Sequence, residues 1–291
     1  MTEETPMQTQ AHHSKPAPSP ASRLDQLFGV RKPIIAMVHV LPLPGSPGFR
    51  GRSLSDVYDA AVEEALLLEA GGVDALLLEN AGDIPFLKPD LIGYETVGTM
   101  SVIGERIRRE SKLPLGFNIV ANAAKASLAC ARASGAEFIR VNQWANAYVA
   151  NEGFVEGAAA EALRYRQLLD ADDIAVLADV HVKHGSHAIV GDRPVSEQAR
   201  DAEFFGAEIL IATGNRTGDA TPVGEIEQIK AGSSLPVIVG SGLTPDNVAE
   251  VMRVADGAVV GSWFKDNGRM HGGKVQRDKV ESLMEKIAAF R

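Results

Sequence analysis

The residues best equipped for chemistry lie in the stretch IAVLADVHVKHGSH, where Asp179, His181 and Lys183 occupy every second position. In an extended chain, side chains i, i+2 and i+4 share a face. An acid, an imidazole and an amine would therefore converge while Ile174, Val176, Val180 and Val182 face the other way. Such a set can move protons beside a carbonyl, with Asp179 as base, His181 as its acid partner and Lys183 as oxyanion stabiliser or, if desolvated, Schiff-base amine. His184, on the opposite parity, is expected to orient its loop. Four earlier apolar runs close on similar residues: His39, then Glu79 with Asn80, then Asn118, then Arg140 with Asn142. His39 and Glu79 add a second acid/base pair, and Asn80, Asn118, Arg140 and Asn142 are candidate substrate-binding groups. Any one of these Asn residues is equally well explained as a loop-orienting hydrogen bond, but five successive strand ends of this kind are not.

His39, Glu79, Asp179 and His181 are also metal-ligand types, which makes a divalent metal a candidate cofactor. Spacing across separate strands does not define such a site, and no nucleotide-cofactor signature is present.

A second kind of site follows in PVIVGSGLTPDNVAEVM and GAVVGSWFKDNG. Gly240-Ser241-Gly242 and Gly261-Ser262 each follow an apolar run, and Thr244 with Pro245 resembles a helix start. Glycine turns let backbone N–H groups approach an anion, and loops after the last two strands of a barrel commonly hold phosphate. Thr213-Gly214 is a candidate third wall. A lone Gly-x-Gly would be read as a tight turn; two Gly-Ser turns on adjacent loops favour phosphate binding.

These residues need a scaffold that brings several strand ends together. Apolar runs at 34–39, 74–79, 115–120, 137–142, 174–180, 208–212, 236–239 and 257–260 alternate with amphipathic stretches near 54–70, 96–111, 123–134, 155–169, 196–205, 223–231, 245–254 and 279–290. Eight β/α units in unbroken alternation predict an α/β fold, a closed parallel (β/α)8 TIM barrel over 23–291, preceded by a disordered tail over 1–22. Glycines in EAGGVDALLL, RASGAEFIRV and EFFGAEILIA mark short helix-to-strand turns, whereas LPLPGSPGFRGRS and NAGDIPFLKPDLIGYE are long loops after strands. In a barrel that side carries the function. Cys130 reads as core. Trp144, Trp263 and Phe264 could flank a ligand or simply pack, with packing the preferred reading, and His187 and His271 read as exposed.

With 291 residues, 45% of them hydrophobic, the chain is long enough for one such domain. A net charge of −9 without Lys/Arg clusters argues against a nucleic-acid groove. The single cysteine excludes an intrachain disulfide, and no apolar run reaches the ~20 residues of a membrane span. The expected setting is cytoplasmic. The expected partner is a phosphorylated small molecule, with homo-oligomerisation left open.

The blocks PIIAMVHVLPLPGSPGF, ALLLENAGDIPF, LGFNIVANAAKASLACARASGAEFIRVNQW, ADVHVKHG and VIVGSGLTPDNVAEVMRVADGAVVGSWFK, in this order, resemble the BtpA/SgcQ family over residues 33–290. That resemblance implies a barrel of the ribulose-phosphate-binding kind. It also implies a role either in photosystem I biogenesis or beside sugar uptake. One departure stands out: where similar sequences tend to carry Arg-Asn-Asp after the third strand, this chain has Ala121-Asn122-Ala123 and loses a charge pair. Residues and resemblance together predict an enzyme acting on a sugar or nucleoside-derived phosphate by isomerase, epimerase or lyase chemistry. The alternative is a noncatalytic assembly or binding factor.

Overall fold

The structure, a computed structural model, describes residues 22–291. The tail expected over 1–22 lies outside the described residues except for Ser22. That residue belongs to the fold: its side chain caps α1 (Arg23–Phe28) in a reciprocal box with Asp25. Strands β1 (Ile34–His39), β2 (Ala75–Glu79), β3 (Leu115–Asn118) and β4 (Phe138–Val141) form the first half of the sheet. After the antiparallel pair β5 (Ala147–Ala150) and β6 (Gly153–Glu156) come β7 (Ala175–Val180), β8 (Ile209–Ala212), β9 (Val237–Val239) and β10 (Ala258–Val260). The parallel strands close in the order β1-β2-β3-β4-β7-β8-β9-β10, with β10 pairing back onto β1. This is the predicted eight-stranded barrel.

Each barrel strand is followed by a helix: α2 (Leu54–Ala70), α3 (Tyr94–Glu110), α4 (Ala124–Ser134), α5 (Ala159–Leu168), α6 (Val195–Phe204), α7 (Val223–Gly232), α8 (Val248–Val254) and α9 (Arg277–Ala288). Gly72, Gly135 and Gly206 take positive φ at the helix-to-strand turns, as their spacing predicts. Strand parity divides the core in two. Val38, Leu76, Phe117 and Val176 face the helices, whereas Met37, Leu77, Phe138, Leu177 and Ile211 fill the barrel. Inside, Gly116 makes room for Phe138, because a Cβ there would lie 2.2 Å from the ring.

Two elements were not legible from the β/α alternation. The first is α1, whose Leu24 and Phe28 pack onto the interior cluster from below, with Phe28 edge-on to Phe138 at 5.6 Å. The second is the β5–β6 hairpin, which takes up residues the helical pattern had begun to claim from 155, so that α5 starts at Ala159. The hairpin projects over the mouth and carries its own small cluster of Tyr148, Val155 and Val182.

Candidate active site

Above the apolar layers, the next inward position of β1, β2, β3, β4 and β7 is polar. His39 pairs in register with Glu79, and Glu79 with Asn118, so these three form one row across β1, β2 and β3. Arg140 and Asp179 follow on β4 and β7. Two parallel hydrogen bonds of 2.9 Å run from Nε and Nη2 of Arg140 to the two oxygens of Asp179. Asn142 donates to the same carboxylate at 3.2 Å. Both charged groups are buried, and burial alone would disfavour the guanidinium; the Asp179 and Glu79 carboxylates overcome it and hold Arg140 above its ordinary range. Asp179, expected as the base, therefore has both oxygens committed and does not line the cavity; it fixes Arg140.

Glu79 does reach the cavity, with Oε2 accepting from Asn118 Nδ2 at 2.8 Å. Burial pushes its pKa up, against the lowering influence of Arg140, Lys183 and Asn118, so it favours the protonated form more than an ordinary carboxyl. Lys183 lines the same cavity. Its backbone N–H donates to Thr213 Oγ1 at 2.9 Å and its ammonium to Gly240 O at 3.2 Å. Burial, reinforced by Arg140, lowers its pKa from 10.5 to about 8. His39 is held neutral by burial and by the positive charge of Lys265. The His39 backbone N–H donates to Glu64 at 3.0 Å, and the other oxygen of Glu64 takes Lys265 at 3.2 Å. A Cβ on Gly261 would meet the His39 ring at 2.7 Å, so that glycine is required for the imidazole to lie where it does.

His181 departs from the sequence expectation. β7 ends at Val180, and His181 turns into the left-handed region with φ 54°. The i, i+2, i+4 alignment stops there. The His181 ring stacks on His187 at 4.0 Å and is absent from the cavity wall. His39, Glu79, Asp179 and His181 consequently do not form a ligand set: among the described residues no three His, Cys, Asp or Glu side chains gather to hold a metal. The donor groups explain this, since Asp179 is spent on Arg140 and His181 faces His187.

Other expected residues sort into lining and support. Asn142, Gly240, Ser241, Gly242, Gly261 and Ser262 line the cavity, which has a volume of about 330 Å³. Asn80, Asn118, Thr213 and Gly214 do not. Asn80 braces the β3 loop through Val120, and the N–H groups of Thr213 and Gly214 donate to Glu225 at 3.1 Å. His184 orients its loop as expected, its Nε2 bonding the Thr217 hydroxyl at 2.7 Å. The glycines have packing reasons of their own. A Cβ on Gly240 would meet Ile211 at 2.7 Å, and one on Gly242, at φ 67°, would meet the Asp219 carbonyl at 2.1 Å. Their backbone N–H groups are a separate matter: among the described residues none engages the N–H of Ser241, Gly242 or Gly261.

The cavity also has walls that strand-end reasoning missed. Tyr148, Asn151 and Glu152 come from the β5–β6 hairpin, and Phe86, Trp263 and Met270 from other loops. The hairpin had a signal, Asn151-Glu152-Gly153 after an alternating run, with Gly153 at φ 96° in the turn. Asn122, the middle residue of the departing Ala121-Asn122-Ala123, braces the root of this hairpin through Gln143 and Glu156, and Ala121 contributes a small apolar patch of wall.

Fold and site together define a (β/α)8 barrel with a desolvated polar mouth roofed by strand-end loops. The chain belongs to the BtpA family, whose model matches residues 30–289. An uncharacterized protein of Pyrococcus horikoshii is 41% identical, covering 89% of this chain and 97% of its own length. The Synechocystis protein named Photosystem I biogenesis protein BtpA is 35% identical over 91% of each chain. Among solved structures, thiamine phosphate pyrophosphorylase from Pyrococcus furiosus matches with a TM-score of 0.53 at 17% identity, over 89% of this chain and 96% of that one, a likeness of fold. Among the described residues no helix is long and apolar enough to cross a membrane.

Proposed function

We propose that this protein is an enzyme acting on a phosphorylated small molecule, of the sugar or nucleoside-derived class, by proton transfer beside a carbonyl. The observation that carries this reading is the pairing of Glu79 and Lys183. Both lie in one cavity and both are biased toward their neutral forms, the carboxyl upward and the amine downward. Groups tuned in this way can exchange protons near neutral pH, which ordinary carboxylates and amines do poorly.

In this reading the phosphate meets the unengaged N–H groups of Ser241, Gly242 and Gly261, and the carbonyl end lies over Glu79, Lys183 and His39. Glu79 takes a proton from the carbon next to the carbonyl and returns it to the neighbouring carbon or oxygen, which isomerises or epimerises the substrate. Its Oε1 serves, because Oε2 is held by Asn118. Arg140, clamped by Asp179 with Nη1 left over, supplies a fixed positive charge for the enediolate oxygen. A neutral His39 donates a hydrogen bond to that oxygen without bringing a charge of its own.

The test is a thermal-shift screen of phosphorylated metabolites against their unphosphorylated counterparts, on wild type and on Glu79→Gln. Stabilisation by the phosphorylated members alone, with turnover of at least one that Glu79→Gln abolishes, is expected. Equal response to both classes would reject the reading. The name of the Synechocystis relative favours one other reading, a noncatalytic assembly factor. That reading predicts no turnover of any phosphorylated ligand, and copurification with photosystem components where these exist.

A further inference from the structure

We infer that Lys183 is a nucleophile: its amine condenses with the substrate carbonyl to form an imine, and the reaction includes breaking or making a carbon–carbon bond beside that carbonyl. The inference rests on the proposed phosphorylated carbonyl substrate and adds the covalent step.

Its grounds are geometric. Lys183 points into the cavity with a single hydrogen bond from Nζ, to a carbonyl oxygen of Gly240, and no ion pair with any described carboxylate. Lys265 provides a contrast: it is buried outside the cavity lining, and its ammonium is bonded to Glu64 at 3.2 Å, as a structural lysine requires. Of the two carboxylates whose charge acts on Lys183, Asp179 has both oxygens on Arg140 and Glu79 has one on Asn118, and neither forms an ion pair with the Lys183 amine. A buried ammonium without a carboxylate partner, with a guanidinium as neighbour, is the setting in which a lysine sheds its proton and becomes nucleophilic. The lowered pKa of about 8 agrees with that setting.

The steps balance without any added reagent. The Lys183 amine adds to the carbonyl carbon, and its surplus proton passes to the carbonyl oxygen to give a carbinolamine. Protonated Glu79 then gives a proton to that hydroxyl, water leaves, and an iminium and a Glu79 carboxylate remain. The carboxylate takes the proton of a β-hydroxyl group, the adjacent carbon–carbon bond breaks, and its electrons flow into the iminium to form an enamine. The β-carbon leaves as an aldehyde or ketone, Glu79 returns the hydroxyl proton to the enamine, and hydrolysis of the resulting iminium consumes one water, reprotonates Glu79 and releases Lys183. Glu79 is suited to both proton steps because its carboxyl is biased toward the protonated form yet can ionise.

The experiment uses pyridoxal phosphate, a phosphorylated aldehyde, as a probe on the full chain. Limiting probe followed by borohydride is expected to reduce onto Lys183 ahead of every other lysine, as mapped by peptide mass spectrometry. Labelling should rise with pH around an inflection near 8, and inorganic phosphate should protect. Lys183→Met, verified as folded by circular dichroism, should lose that adduct. Labelling of Lys183 by unphosphorylated pyridoxal just as readily, without protection by phosphate, keeps the nucleophile but rejects the phosphate reading. Phosphate binding with no adduct on Lys183 rejects the nucleophile and keeps the phosphate reading. Labelling spread over surface lysines with an inflection above 10 overturns the inference outright.

Discussion

Arg140 and Asp179 lock together side-on across β4 and β7, with two 2.9 Å hydrogen bonds and both groups almost wholly excluded from water. This bidentate pair is the floor of the polar mouth, and it changes what Asp179 can be asked to do. A carboxylate with both oxygens on a guanidinium is a positioning group for Arg140. Asp179→Ala should strand a buried cation and cost about 3–5 kcal/mol of stability. Urea denaturation would register this as a lowered midpoint with an unchanged slope. Replacing the pair together, Arg140→Met with Asp179→Leu, should recover most of the stability but not the binding of phosphorylated ligands. If Asp179→Ala unfolds at the wild-type midpoint, the pair is not the buried bridge described here.

The amine of Lys183 makes stability depend on pH in a defined direction. Its folded pKa, about 8, lies below the ordinary 10.5. Between those values the unfolded chain binds more protons than the folded one, so wild-type stability rises with pH across that window. Below about 8 the amine is charged in both states and the penalty for enclosing it is fully present. Lys183→Met should therefore be more stable than wild type at neutral pH, by about 1–3 kcal/mol, less whatever the lost hydrogen bond to Gly240 contributed. The difference should shrink toward pH 10.5. A variant destabilised by the same amount at every pH would contradict the desolvated amine.

The β5–β6 hairpin roofs the cavity from the β4 side, across from the Gly-Ser loops. Its root is already closed, Gly157 N–H donating to Asn146 O at 2.8 Å. Excising 147–156 and bridging the ends with a short glycine turn should leave the barrel cooperatively folded. In thermal-shift titration the shortened protein should respond to inorganic phosphate as wild type does and much less to phosphorylated metabolites, because Tyr148, Asn151 and Glu152 line the cavity opposite the Gly-Ser turns. Equal responses would remove the hairpin from the binding site.

His181 offers a negative control. Its ring lies on His187, away from the cavity, so His181→Ala should leave both ligand binding and any metal content of the purified protein unchanged. Elemental analysis of the two proteins checks this. A metal lost with His181 would show that the four expected ligands gather in solution.

Much of this architecture was legible in the chain, for a physical reason. Apolar periodicity reports which face of a strand is buried, and in the folded barrel Met37, Leu77 and Phe138 lie on the inner face, one step below His39, Glu79 and Arg140. Periodicity does not report partners. That Asp179 is consumed by Arg140, or that Thr213 serves the Lys183 backbone, depends on neighbours across the sheet. The alternation rule holds only while the chain stays extended: it breaks at His181, which sits at positive φ, and Lys183 reaches the mouth from the loop beyond the strand. The sequence of the Gly-Ser turns suggests room for an anion, whereas the missing Cβ atoms make room for Ile211, Asp219 and His39. What survives of that reading is the set of free N–H groups.

The free N–H groups of Ser241, Gly242 and Gly261, with the neighbouring Ser262 in the cavity wall, can be read directly by titration with phosphate. On the isotopically labelled protein, titration with inorganic phosphate should give saturable amide shifts concentrated at Ser241, Gly242, Gly261 and Ser262. Sulfate should compete, and an uncharged polyol of similar size should have no effect. Amide shifts that fail to saturate, or that saturate at some other part of the surface while these four stay still, would contradict a phosphate-anchored substrate at the mouth of this barrel.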